Sequence, residues 1–90
     1  MKNFLLIAFA LSASACAEGT EQTAECAHYV ACLEARDEAL GISTNMDRFK
    51  ADGPCWGGSQ AGLELCDRAC VAGLKFLQER DPNAPEACQP

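Results

Sequence analysis

The sequence predicts a small all-α, disulfide-rich domain: an antiparallel helical hairpin with a packed middle segment and three disulfides. Three observations lead there. Apolar residues recur at three- and four-residue steps in two segments, seven cysteines divide into one plus six, and the chain has 90 residues. Once an N-terminal signal is removed, residues 16–90 suffice for one domain. A chain that short buries only about 60% of the surface its unfolded form exposes, so its core alone is marginal. Three disulfides, each worth roughly 2 to 4 kcal/mol, close the gap.

The first fifteen residues read as an export signal, followed by a polar tether over 16–23 and a cysteine-rich helical domain over 24–90. Met1-Lys2-Asn3 gives a basic start, residues 4–11 form an unbroken apolar run, and the small residues 12–15 lead into Cys16. The run is too short to span a bilayer, which needs roughly 20 apolar residues. Ala13 and Ala15 also suit ordinary signal peptidase, which would cut after Ala15 or Ala17 and release a soluble product. Residues 17–23 carry no large apolar group and would let the domain stand away from an anchor.

The first helix starts at a cap supplied by Thr23 or Thr20, with Glu21 and Glu25 favoured beside the positive end of the helix dipole. Cys26, Tyr29, Val30, Leu33 and Leu40 fall on one face, and Gly41 stops the helix. Cys32 lies on the flank of that stripe, aimed beside the helix. The second helix is capped by Ser59, isolated by Pro54 and Gly57-Gly58, and ended at Asp81-Pro82. Leu63, Cys66, Cys70, Leu74 and Leu77 form its main stripe. A second stripe of Leu65, Ala69, Ala72 and Phe76 widens the apolar arc, leaving Glu64, Arg68, Lys75, Gln78 and Glu79 wet. Ile42, Met46, Phe49 and Trp56 are the expected cover, with a short helical turn between Ser43 and Lys50.

Six cysteines allow 15 pairings. In an antiparallel hairpin, depth from the connection suggests Cys32 with Cys66, Cys26 with Cys70, and Cys55 with Cys88. The alternative joins Cys26 to Cys88, Cys55 to Cys66 and Cys32 to Cys70, which agrees better with the flank position of Cys32. Zinc is the rival use of these thiols, but only Cys66-x3-Cys70 approaches a zinc knuckle, and export favours disulfides.

Charge and motif content exclude several functions. Without Lys2, six basic residues face thirteen acidic ones, a net charge of −7, and Arg36, Arg48, Lys50, Arg68, Lys75 and Arg80 are scattered singly. Nucleic acid and anionic lipid both require a basic patch. His28, the only histidine, points away from the apolar stripe of its helix. Asp37 with Glu38, and Glu64 with Asp67, read as solvated faces, and Ser43 and Ser59 as helix caps. The segment 53–58, Gly-Pro-Cys-Trp-Gly-Gly, lacks the Lys and Ser/Thr of a phosphate loop. The reading is therefore non-enzymatic, with no cofactor and no metal. Trp56 has two readings: a plug over the second helix, or an exposed anchor for a protein partner.

Ala13-Ser14-Ala15-Cys16 resembles the lipobox of bacterial lipoproteins, in which the cysteine becomes the acylated first residue, although Ala13 stands where that family usually has Leu. Tyr29-Val30-Ala31-Cys32, Cys55-Trp56, Cys66-x3-Cys70 and Cys88 resemble small cysteine-rich bacterial lipoproteins without an assigned activity. The resemblance implies attachment to the membrane through a lipid on Cys16. With Ala17 rather than Asp after the cysteine, it also implies an outer-membrane destination. The expected role is a lipid-anchored interaction or structural module of the cell envelope. The alternative is a secreted cysteine-rich effector, an inhibitor or toxin. Division of the cysteines into one lipid site and three bridges gives a direct test. Thiol titration of the denatured mature protein should find no free thiol before reduction and six after it, whereas several free thiols with bound zinc would reverse the assignment.

Overall fold

The computed structural model describes residues 21–90. The signal, Cys16 and most of the tether lie outside the described residues. Helix α1 (Ala24–Leu40) and helix α2 (Gln60–Arg80) are the two main elements, with 3₁₀ turns at Asp47–Phe49 and Glu86–Cys88. The all-α, three-disulfide class is as the sequence predicts.

Both helix starts follow from their caps. Thr23 Oγ1 accepts from the Cys26 N–H at 3.2 Å, and Ser59 Oγ accepts from the Gly62 N–H at 3.1 Å, each satisfying one of the donors that a first turn leaves unpaired. Gly41 ends α1 in the left-handed region at φ 67°, where a residue with a Cβ is strained, and its N–H donates to the Asp37 carbonyl. Thr23 caps α1 and Gln22 Nε2 donates to the Phe49 carbonyl at 2.8 Å. The last two residues assigned to the tether thus belong to the folded domain.

Helix direction departs from expectation. Cys26 is bonded to Cys70, the Tyr29 ring lies against Gly73, and Leu77 packs on the cluster of Val30, Leu33 and Met46. As α1 advances, its partner on α2 advances too, so the helices run parallel rather than antiparallel. Residues 41–59 make this possible by travelling back along α1, a distance of about 25 Å for a 17-residue helix. Thr44 pins the start of the return to the Asp37 carboxylate, with its N–H and its hydroxyl each 2.7 Å from a carboxylate oxygen. Met46 then covers Val30 and Leu33, and Phe49 meets the Tyr29 ring edge to face at 5.6 Å. Trp56 arrives beside Cys26.

The parallel course decides the disulfides. They are Cys26–Cys70, Cys32–Cys88 and Cys55–Cys66. Each sequence-derived scheme contains one of these bonds, and neither contains Cys32–Cys88. Depth counted from the connection loses its meaning when both helices start at the same end. Cys32 does bond beside its helix, to the tail, where Gln78 Nε2 also holds the Cys88 carbonyl at 2.6 Å; Gln78 is therefore half-buried rather than wet.

Several apolar residues expected in the core lie outside it. Leu40 is exposed because the last turn of α1 overhangs the end of α2, and the chain folds back at Asp37 beneath it. Ile42 is exposed for the same reason. The middle segment packs on α1 and on the disulfides and meets the second stripe of α2 only where Arg48 and Phe49 border a groove beside Leu65 and Ala69, so Leu65 and Phe76 stay 62% and 55% exposed. The expected helical turn within 43–50 shrinks to Asp47–Phe49.

Gly73 makes room for the Tyr29 ring between the helices, because a Cβ there would sit 2.7 Å from Tyr29 Cε1. Gly73→Ala should lower stability by about 1 to 3 kcal/mol through overpacking, read as a shift in a denaturant melt of the oxidised protein. An unchanged midpoint would remove Tyr29 and Gly73 from the helix interface.

Candidate functional site

Chemistry-bearing side chains can be followed to where the fold puts them. All six domain cysteines are consumed in disulfides, so none is available as a thiolate ligand. Among the described residues, no group of three or more His, Cys, Asp or Glu side chains is placed to hold a metal ion. His28 is half-buried rather than fully solvent-facing, at the edge of a groove of about 510 Å³ between α1 and α2, with Glu25, Lys75 and Glu79 along the rim. These groups share a groove without an ion pair or a hydrogen bond between them.

Acidic pairs behave unequally. Glu64 is exposed, as a solvated pair member should be, but Asp67 is half-buried and its Oδ1 is enclosed without a hydrogen-bond partner among the described residues. Helical spacing carried the signal, since Asp67 follows Leu63 by four residues and precedes Cys70 by three, which puts it at the edge of the main apolar face. Ser59 is a helix cap as expected, but Ser43 is not: it is exposed, and the short turn after it starts at Met46 without a side-chain cap. A different residue, Asp37, does the work of holding the loop after α1, through Thr44.

Trp56 is not an exposed contact. It is 2% exposed and packs among Cys55 and the Cys26–Cys70 bond, with Tyr29, Phe49, Leu63 and Cys66 around this cluster. Its indole Nε1–H donates to the Lys50 carbonyl at 2.8 Å, which satisfies the one polar atom that burial would otherwise penalise. Trp56 is a plug, but it fills the junction of α1, α2 and the returning segment rather than roofing the second stripe of α2. Gly53 makes the turn into it possible: a Cβ there would press into the backbone carbonyls of Asp47 and Arg48.

Next to this junction, the Cys55–Cys66 bond forms part of the floor of a groove of about 350 Å³, with Pro54, Gly58, Gly62 and Arg48 around it. It contains one charged group and no base, nucleophile or second polar side chain that converges on it apart from the capping Ser59. A further groove of about 360 Å³ opens along α2 between Phe49, Leu65 and Ala69, with Arg48 at its edge. Apolar surface is left open on the Leu65, Ala69, Ala72, Phe76 stripe, where the Arg80 guanidinium lies 5.1 Å from the Phe76 ring centre. No protein family, curated protein or solved structure matches this chain at a significant level.

Replacing Trp56 by Ala should cost about 3 to 5 kcal/mol, since it empties a closed site and leaves the Lys50 carbonyl unpaired. Thermal melting of the oxidised variant checks this. A loss below about 1 kcal/mol would mean that the site collapses around the missing ring or that the indole is not enclosed.

Proposed function

We propose that this chain is an exported protein of the cell envelope, held to a membrane by lipid on Cys16, whose stapled domain serves as a non-enzymatic interaction or structural module. The observation that carries this reading is the closed pairing of the six domain cysteines. They satisfy one another, which leaves Cys16 as the odd cysteine at the end of an export-signal pattern. Disulfides at this density belong to an oxidising compartment, and the attachment in this reading is the lipid on Cys16; among the described residues no helix is long and apolar enough to cross a membrane.

A structural or interaction role is supported by where the chain places its chemistry. Its buried set is made of cystines, Trp56 and aliphatic residues, with no buried polar or charged residue among those described. Catalysis would call for a pocket in which several polar groups converge; the groove over Cys55–Cys66 presents one charged group, Arg48, and the groove beside His28 carries Glu25, Lys75 and Glu79 with no ion pair or hydrogen bond joining them.

Expression in a two-membrane bacterium, followed by membrane fractionation and intact-mass measurement, tests the proposal. The wild-type chain should sediment with membranes and carry the added mass of acyl chains on Cys16. Cys16→Ser should leave the membrane fraction or accumulate as the unprocessed precursor. Wild-type protein found unacylated in the soluble fraction or the medium would overturn the anchor and favour the secreted effector instead.

A further inference from the structure

The three disulfides differ in access. Cys26, Cys70, Cys32 and Cys88 are each 0% exposed, whereas Cys55 is 7% exposed and Cys66 is only half-buried. Cys55–Cys66 is also the bond at the floor of the groove of about 350 Å³ beside the start of α2. Thiol–disulfide exchange requires a thiolate to reach one sulfur of the bond, so access decides which bridge reacts first. In an otherwise acidic chain, the lining of this groove holds no acidic side chain and one cation, Arg48, so an incoming thiolate meets no like charge among the residues that form it.

Opening this bond costs the fold least. It spans a sequence separation of 11, against 44 and 56 for the other two, so its loss returns the least entropy to the unfolded chain. Cys26–Cys70 would still join α1 to α2, and Cys32–Cys88 would still hold the tail. Cys55 itself is kept in place from both sides. Its N–H donates to the Arg48 carbonyl at 3.4 Å, and the next residue, Trp56, is buried with its indole N–H on the Lys50 carbonyl. Cys66 is fixed within α2. Two thiols held this way stay opposite one another, so the bond can close again without a search through other pairings.

We propose that Cys55–Cys66 is an exchange site for an external dithiol, while the other two bridges are permanent staples. A thiolate of the dithiol attacks the sulfur of Cys66, the more open of the pair. A mixed disulfide forms, the Cys55–Cys66 bond breaks, and Cys55 leaves as a thiolate that takes a proton from solvent. The second thiol of the reagent, deprotonated, then attacks the reagent sulfur of the mixed disulfide and releases Cys66, which is protonated in turn. The bridge gains two electrons and two protons, and the dithiol becomes a disulfide. Both steps reverse to close the bridge. Sulfur access is the same whether or not Cys16 is acylated, so this site stands or falls separately from the lipid anchor.

Dithiothreitol added to the native oxidised mature protein, with timed quenching by N-ethylmaleimide and peptide mapping, tests the site. Cys55 and Cys66 should be labelled together, at least about a hundredfold faster than the other four cysteines, whose sulfurs are reached only when the domain opens. In guanidinium chloride all three bonds should react within about tenfold of one another, which ties the difference to the fold. The species that lacks only Cys55–Cys66 should keep its helical circular dichroism, and oxidised dithiothreitol should restore the same bond. With glutathione, a monothiol, the adduct should map to Cys66 and leave Cys55 free. Cys55→Ser combined with Cys66→Ser should fold with two bridges and lose the fast phase. Fast labelling of another pair, loss of all three bonds at one rate in native buffer, or failure of the double variant to fold would overturn the proposal.

Discussion

The Cys26–Cys70 bond, with Trp56 packed against it, is the constraint on which the rest of this structure depends. It ties the first turn of α1 to the middle of α2, with the two Cα atoms 5.0 Å apart, and closes a sequence separation of 44 residues. Together with Tyr29 against Gly73 and Leu77 against Val30 and Leu33, that point sets α2 running in the same direction as α1. In the chain-entropy view, a loop of this length contributes about 4 kcal/mol, as does Cys32–Cys88, and the short Cys55–Cys66 loop about 3 kcal/mol. For a domain whose buried set is limited to a few aliphatic side chains, one Trp and cystines, these contributions are comparable with the whole stability of a small protein.

The parallel course has a consequence for surface. An antiparallel hairpin needs only a few residues of turn, and its middle segment could have been spent on covering α2. Here residues 41–59 are spent on the return journey. Thr44, Met46, Phe49 and Trp56 are each fixed to α1 or to the disulfide junction, and none remains to cover Leu65 and Phe76. The exposed stripe of α2 thus follows from the topology rather than from a shortage of apolar side chains in the connection. Rigidity follows too: α2 is clamped through Cys66 and Cys70 near its first half and through Gln78 and the tail near its end, so the stripe is presented on a fixed support.

Element identity was legible because it rests on local rules. Thr23, Gly41, Ser59 and Asp81 mark the helix ends through caps that involve only neighbouring residues, and the periodicity of α2 names its buried face. Helix direction was not legible from stripes, since an apolar face is the same face whether its partner runs up or down. The length of the connection over 41–59 was the available signal, as it is far longer than an antiparallel pair requires. The fate of Trp56 turned on the same point. Its plug role was readable from its glycine-bounded setting, but the cavity it fills exists only where two parallel helix starts and the returning segment meet.

The sequence by itself determined an all-helical, three-disulfide domain, an acidic chain without a basic patch, and an N-terminal pattern of export ending at an odd cysteine. Tertiary structure alone decided which cysteines bond, which way α2 runs, and which of its two apolar stripes is covered. The physical reason is range. Caps, periodicity and charge are read within a few residues, whereas disulfide pairing and the burial of a stripe depend on which distant segments reach one another first and fill the space.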